Sequence, residues 1–390
     1  MYNDKESPFR PGTPVPHNMF VGRKKEIQKI ARYLNQCSHG RQEHVFLVGE
    51  RGMGKSSLAS YIMNYAQKQY KMLGIHIYLN GKATTELVVK EIIETLLNET
   101  KEEKWHDKIS NKFQKHVKAI DFGVNVTFNP PEDDLELMTK EFPNMIKGIV
   151  DEIKNEKNGL FIVLDDINGL THDSEFADWY KSVVDTIASN YSNNFPVFLM
   201  IVGYPEKLNN LVKHNESFVR IFHQAEIQPL KDKEVKTFFE NAFNSIEFEV
   251  DEDAMNELVT YSSGMPTIMH EIGDATFWSS SYPKIDHKTA MSGIIEAGTE
   301  IGRKYLKQNV HSIRSEDYKN ILLKLGEHML CEFTIDNLKK VLTTEERKKI
   351  TDFLKRARKL GIIIPTEKRG TYKFVNNLYP VYFMIESIKL

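Results

Sequence analysis

Residues 44–56 read His44-Val45-Phe46-Leu47-Val48-Gly49-Glu50-Arg51-Gly52-Met53-Gly54-Lys55-Ser56, an apolar run that passes directly into a glycine-rich stretch. A short apolar run closed by glycine has the length and composition of a buried strand. The GxxxxGK[ST] pattern that follows turns such a strand into a helix around a phosphate. Gly49, Gly52 and Gly54 let the backbone turn tightly so that successive amides point inward, while the next helix presents its positive end. Lys55 adds a compact charge for the β and γ phosphates, and the Ser56 hydroxyl is placed for Mg²⁺. The residues Gly49, Glu50, Arg51, Gly52, Met53, Gly54, Lys55, Ser56 and Ser57 are therefore expected to line a nucleoside triphosphate, ATP with Mg²⁺. A glycine-rich turn that merely joins a strand to a helix is the bland alternative. A strand before the motif and a helix after it weigh against that alternative.

Working outward, strands are expected at 44–48, 75–79, 160–164, 197–202 and 224–227, alternating with longer amphipathic segments. That order is the signature of a parallel sheet covered on both faces. Between the second and third strands lies a long interruption with a helix near 86–97 and an alternating stretch at 120–128, which suggests a short edge hairpin. The third strand, Phe161-Ile162-Val163-Leu164-Asp165-Asp166, delivers two acids at its carboxyl end, where open parallel sheets keep their ligands. Asp165 is expected to hold Mg²⁺ through water, and Asp166 to orient or deprotonate the attacking water. The alternative is that both carboxylates only cap the following turn.

The 390 residues exceed one ordinary core and predict more than one domain. With 41% hydrophobic and 27% charged residues, the composition is neither disordered nor fibrous. Only Cys37 and Cys331 occur, which excludes a disulfide framework or a cysteine-rich zinc site and fits a reducing cytoplasm. The apolar runs at 159–164 and 197–202 fall far short of the roughly 20 residues needed to cross a bilayer. The polar, proline-containing lead at 1–16 does not read as a secretory signal but as a strap.

After Pro229 helices take over. Asp232 and Asp251 are expected to cap two of them and Gly264 to end the second. From Ser315 onward, three short helices and two strands around Glu367-Lys368-Arg369-Gly370 predict a winged helix. Thr343 and Glu346 have capping-box spacing at the start of its third helix. The expected organisation is a strap (1–20), a P-loop α/β core (21–230, insertion about 98–132), a helical lid (231–310) and the winged helix (311–390). The net charge of −2 hides a basic carboxyl terminus. Lys348, Lys349, Lys355, Arg356, Arg358 and Lys359 crowd one segment, and Lys368 and Arg369 sit at the wing tip. Such clustering predicts salt-sensitive contact with double-stranded DNA, and a solvated face or a protein-binding module is the alternative. Phe374, Leu378, Tyr379, Tyr382 and Phe383 read as core packing.

These motifs, together with Pro8-Phe9, Pro11-Gly12, Phe20-Val21-Gly22-Arg23-Lys24-Lys25-Glu26-Ile27, the strand 197–203, Pro229-Leu230 with Glu234, and Gly264-Met265-Pro266, resemble the AAA+ and STAND superfamily of P-loop ATPases. The resemblance is to its origin-recognition-like and archaeal-ATPase-like branch, and it covers nearly the whole chain. It implies an ATPase that switches between ATP and ADP forms, with a homo-oligomer or a protein partner as further possibilities. It also implies that Val21 and Gly22 lie beside the adenine and that Pro266, in the GxP element, faces the nucleotide. Arg220 falls where such proteins keep an arginine finger for a neighbour's γ-phosphate; a solvated or ion-paired arginine is the alternative. Three departures stand out. Asp166 replaces the usual Glu and is one methylene shorter, so hydrolysis is expected to be slow. Gly203-Tyr204 ends the sensor strand without a clear polar sensor. No lid arginine is evident, and His270 either substitutes for it or is packed away.

Overall fold

The computed structural model describes residues 6–13, 19–81, 84–101, 103, 105–113, 117–119, 126–281, 283–306, 312–313 and 315–388. The chain forms two compact bodies, Arg23–Gln228 and a second that joins the segment up to Gly22 with Pro229–Leu390.

The first body contains β1 (Glu43–Val48), β2 (Leu73–Tyr78), β3 (Val117–Ala119), β4 (Val126–Phe128), β5 (Leu160–Asp165), β6 (Val197–Gly203) and β7 (His223–Glu226). Five of these form one parallel sheet in the order β2-β5-β6-β1-β7. The sequence placed all five. Their continuous apolar runs were the signal, because β1, β5 and β6 are buried at every position and a sheet covered on both faces needs no polar alternation. Register matters for function here. Val48 of β1 pairs with Gly203 of β6, and Val202 of β6 pairs with Asp165 of β5. Three strands therefore end level, and whatever follows them emerges at one edge of the sheet.

The interruption between β2 and β5 begins with the helix Thr85–Glu99, whose cap Thr84 accepts a hydrogen bond from Leu87 N–H at 3.4 Å. The hairpin pairs β3 with β4 as a two-stranded sheet of its own and is not an edge of the main sheet. Residues 120–125 of the expected stretch lie outside the described residues. Phe128 anchors the hairpin by meeting Phe113 edge-on at 5.8 Å within the core beneath that helix.

In the second body the helices Asp232–Asn244, Glu252–Ser262, Pro266–Ser279 and His287–Ile301 pack together. Asp232 opens the first of these as its first helical residue and does not cap it. Glu234 instead reaches back, its Oε2 accepting from Lys231 N–H at 3.0 Å. Asp251 stands at the cap position of Glu252–Ser262, and Gly264 follows that helix with φ +68. Strand signal does not stop at Pro229. Short β8 (Glu249–Val250) and β9 (Lys284–Ile285) pair in parallel.

The carboxyl-terminal part runs helix Glu316–Glu327, β10 (Glu332–Thr334), helices Ile335–Val341, Thr344–Lys348 and Ile350–Lys359, β11 (Ile363–Pro365), β12 (Thr371–Phe374) and helix Leu378–Ile388. The antiparallel order β10-β12-β11 completes a winged helix. The capping box forms, with Glu346 Oε2 accepting from Thr343 N–H at 2.8 Å and Thr343 Oγ1 accepting from Glu346 N–H at 3.3 Å. It opens the short helix that leads into Ile350–Lys359. Phe374, Leu378, Tyr379, Tyr382 and Phe383 are buried, in one apolar cluster continuous with the helices that precede the winged helix. Among the described residues no helix is long and apolar enough to cross a membrane.

Candidate functional site

The chain leaves β1 through a close approach at Gly49, where a Cβ would stand 3.0 Å from Ile227 Cγ1. Ile227 holds that position by donating its N–H to Val48 O at 2.8 Å. Gly52 and Gly54 both take left-handed φ, +82° and +78°, which only glycine adopts without strain. Gly54 then precedes the helix Lys55–Tyr70, whose first amides receive no side-chain cap. The loop is therefore a concave run of backbone donors with a positive helix end at its base.

Lys55 crosses the loop. Its Nζ donates to Glu50 O at 2.9 Å and lies 4.2 Å from the centre of the Tyr204 ring. Burial pulls its pKa down from 10.5 to about 8, against the opposing pull of Asp165, Glu50 and Asp166, while Arg51 adds to the lowering. These couplings place both acids at the end of β5 within electrostatic reach of the lysine. Asp165 is 4% exposed, and its Oδ2 lies 3.1 Å from His76 Nε2. Asp166 has φ +62, a conformation that Asp tolerates better than most residues. There it starts the 3₁₀ turn Ile167–Thr171, and Asn168 donates its side-chain amide to Asp166 Oδ1.

The structure thus brings together Lys55, Asp165, Asp166 and Tyr204, and adds two residues to which the sequence reading gave no role. One is His76. The other is Arg23, only 6% exposed, which donates from Nη2 to Met53 O at 3.2 Å and from Nη1 to Gln228 O. An Arg held this way fixes the back of the loop through carbonyl groups. Its Val-Gly-Arg context was visible in sequence, but its target was not. Arg220 is exposed on the short helix Phe218–Ile221 and does not join this group.

Val21, Gly22 and Pro266 belong to the second body. Gly22 has φ +71, and a Cβ there would stand 2.7 Å from Glu234 Oε1. Leu230 N–H donates to Gly264 O at 2.8 Å, directly before Pro266 opens its helix. His270 is packed away: it is 3% exposed, faces Phe9 and Phe238, and accepts Arg10 N–H on Nδ1 at 3.1 Å. Burial lowers its pKa to about 4, so it is a neutral core group.

The basic cluster divides in two. Lys348 pairs with Glu345 at 2.8 Å, Lys349 pairs with Asp317, and Arg356 donates to Ser312 O at 2.6 Å. Lys355, Arg358 and Lys359 occupy the exposed face of Ile350–Lys359, opposite the buried Ile350, Phe353, Leu354 and Ala357, and Lys368 and Arg369 are exposed at the wing tip.

Residues 19–178 match the family model for the AAA ATPase domain. The similarity to that domain is of this stretch, which holds the phosphate loop and both acids at the end of β5. The chain is 22% identical over 322 residues to an uncharacterized HTH-type transcriptional regulator of Methanocaldococcus jannaschii, a match covering 77% of this chain and 73% of that protein. A Walker-type ATPase of Pyrococcus abyssi superposes with TM-score 0.56 at 18% identity, covering 93% of this chain and 96% of that one. The ORC2 protein of Aeropyrum pernix, in ADPNP and ADP complexes, superposes with TM-score 0.58 at 12% identity, covering 99% and 96%. These two likenesses are of fold alone.

Proposed function

We propose that this protein is an ATP-dependent switch of the STAND kind, which hydrolyses ATP slowly and passes its state to DNA through the winged helix. The observation that carries the reading is the common edge of β1, β6 and β5, which sets the phosphate loop, Tyr204 and Asp165 level with one another. Lys55 supplies the charge for the β and γ phosphates, and the loop from Gly49 to Ser57 supplies the backbone donors. Ser56 and Asp165 fit Mg²⁺, because their donors are hard oxygens. Such sites also need only one or two protein groups beside the phosphates. Bound Mg²⁺ would neutralise charge on the phosphate oxygens.

Asp166 orients or deprotonates the attacking water. Its short side chain, which also accepts the Asn168 amide, makes turnover slow. Val21, Gly22 and Pro266 are proposed nucleotide contacts by resemblance, and the exposed Arg220 is offered to the γ-phosphate of a neighbouring copy. For DNA, the proposed contacts are Lys355, Arg358 and Lys359 on the outer helix face and Lys368 and Arg369 at the wing tip, with Lys348, Lys349 and Arg356 as secondary contributors because they are already engaged. The name of the similar HTH-type regulator supports a DNA partner, and the nucleotide complexes of the similar ORC2 protein support ATP and ADP as ligands.

The test is fluorescent-nucleotide titration of wild type, Lys55→Ala and Asp166→Asn, with a labelled duplex added at rising salt. Lys55→Ala should weaken ATP binding at least tenfold, whereas Asp166→Asn should keep ATP bound and block phosphate release. Unchanged affinity in the Lys55 variant would sink the site. Absence of ATP-dependent duplex binding even at low ionic strength would replace DNA by a protein partner.

A further inference from the structure

The carboxylate of Asp165 is held by a residue on the neighbouring strand. His76 lies on β2, whose Tyr78 is in register with Asp165 and whose His76 is in register with Val163. The His76 and Asp165 side chains are 8% and 6% exposed, with Nε2 and Oδ2 3.1 Å apart. His76 is in turn braced by stacking on Tyr78, ring centres 4.4 Å apart and planes within 16°. Residues two apart on a strand share a face, so the stack forms along β2 itself and sets the imidazole in one orientation.

A buried carboxylate needs a donor, and a lone one leaves the group free to rotate about its side-chain bonds. We propose that His76 is a positioning residue for the metal side of the phosphate site. With Asp165 ionised and able only to accept, the imidazole proton sits on Nε2 and is donated to Oδ2, which holds the carboxylate in a single rotamer. Oδ1 is then the oxygen presented to the metal side. The inference rests on Asp165 being the metal-side acid. Metal sites commonly fix their ligands through such outer partners, whose loss costs about 10- to 100-fold in metal affinity.

The experiment measures Mn²⁺ affinity of the nucleotide-bound protein by electron paramagnetic resonance, beside nucleotide affinity in a chelator. His76→Phe keeps a ring to stack on Tyr78 but has no donor, whereas His76→Gln keeps a donor. His76→Phe should weaken Mn²⁺ at least tenfold and leave metal-free nucleotide affinity within about twofold. His76→Gln should recover most of the loss. Equal Mn²⁺ affinity in wild type and His76→Phe, with Asp165→Ala weakened, overturns the role of His76 alone. Unchanged Mn²⁺ affinity in Asp165→Ala overturns the metal assignment beneath it. Nitrogen-15 NMR of the wild type needs no variant: a protonated Nε2 supports the proposal and an unprotonated Nε2 overturns it.

Discussion

Lys55 shows how a single residue carries both the legible and the hidden part of the site. Its identity follows from the loop motif, but its pKa of about 8 is a product of burial. The sign of the consequence is fixed by linkage. Below that value the free protein already holds the ammonium. Above it, binding a phosphate requires taking up a proton, so affinity falls as pH rises, approaching about tenfold per unit. Isothermal titration should find a nearly constant Kd from about pH 7 to 7.5 and a rising one between about pH 8 and 9.5, with proton uptake in the upper range. Lys55→Arg, which stays charged throughout, should flatten whatever binding it retains. The Tyr204 face over Lys55 adds a cation–π contact that no motif announces.

At the scale of an element, the amino-terminal strap is part of the helical body. Phe9 is 3% exposed and lies 5.1 Å edge-on from Phe243 and 5.9 Å from Phe238. Room for it is made at Gly273, where a Cβ would stand 2.3 Å from Phe9 Cε1. Ser7 Oγ donates to Asp274 at 2.6 Å, and Arg10 N–H donates to His270. Phe9→Ala should therefore destabilise the second body by about 3–5 kcal/mol, the usual cost of emptying a buried aromatic site. Denaturant unfolding measures the loss, and hydrogen exchange should rise in the helix Pro266–Ser279. A shift below about 1 kcal/mol would mean the strap is only loosely applied. Other elements varied in legibility for physical reasons. The core strands announce themselves as long apolar runs, whereas β10 contributes the buried Phe333 between an exposed Glu332 and a half-buried Thr334. Too few residues lie there for a period to be read.

Across the whole molecule, one apolar cluster runs from Phe9 and Phe238 through Ile294 to Phe353 and Phe383. The helices after Pro229 and the winged helix therefore share a core and belong to one body. A nucleotide signal that reaches this body reaches the winged helix with it. Within the basic cluster, Lys348 and Lys349 are already paired, and the proposed contacts Lys355, Arg358 and Lys359 are set apart from them. Replacing Lys355, Arg358 and Lys359 together by Ala should lower the slope of log affinity against log salt by about 0.9 for each phosphate that is no longer neutralised. Replacing Lys348 and Lys349 should change that slope much less, because their charges are already paired. Equal effects from the two sets would refute this division of the basic cluster.

By itself the sequence determined the strand-loop-helix around Lys55, the five core strands, the acids closing β5 and the order of a winged helix. These depend on neighbours in the chain: glycine conformations, apolar runs and caps act over a few residues. Only the tertiary structure decided that His76 stands against Asp165 across 89 positions, that Tyr204 covers Lys55, that Arg23 grips the back of the loop, that His270 is core and that Lys348, Lys349 and Arg356 of the basic cluster are already engaged. Each is a pairing through space between residues brought together by strand order and register, and no local periodicity encodes which distant side chain will stand about 3 Å away.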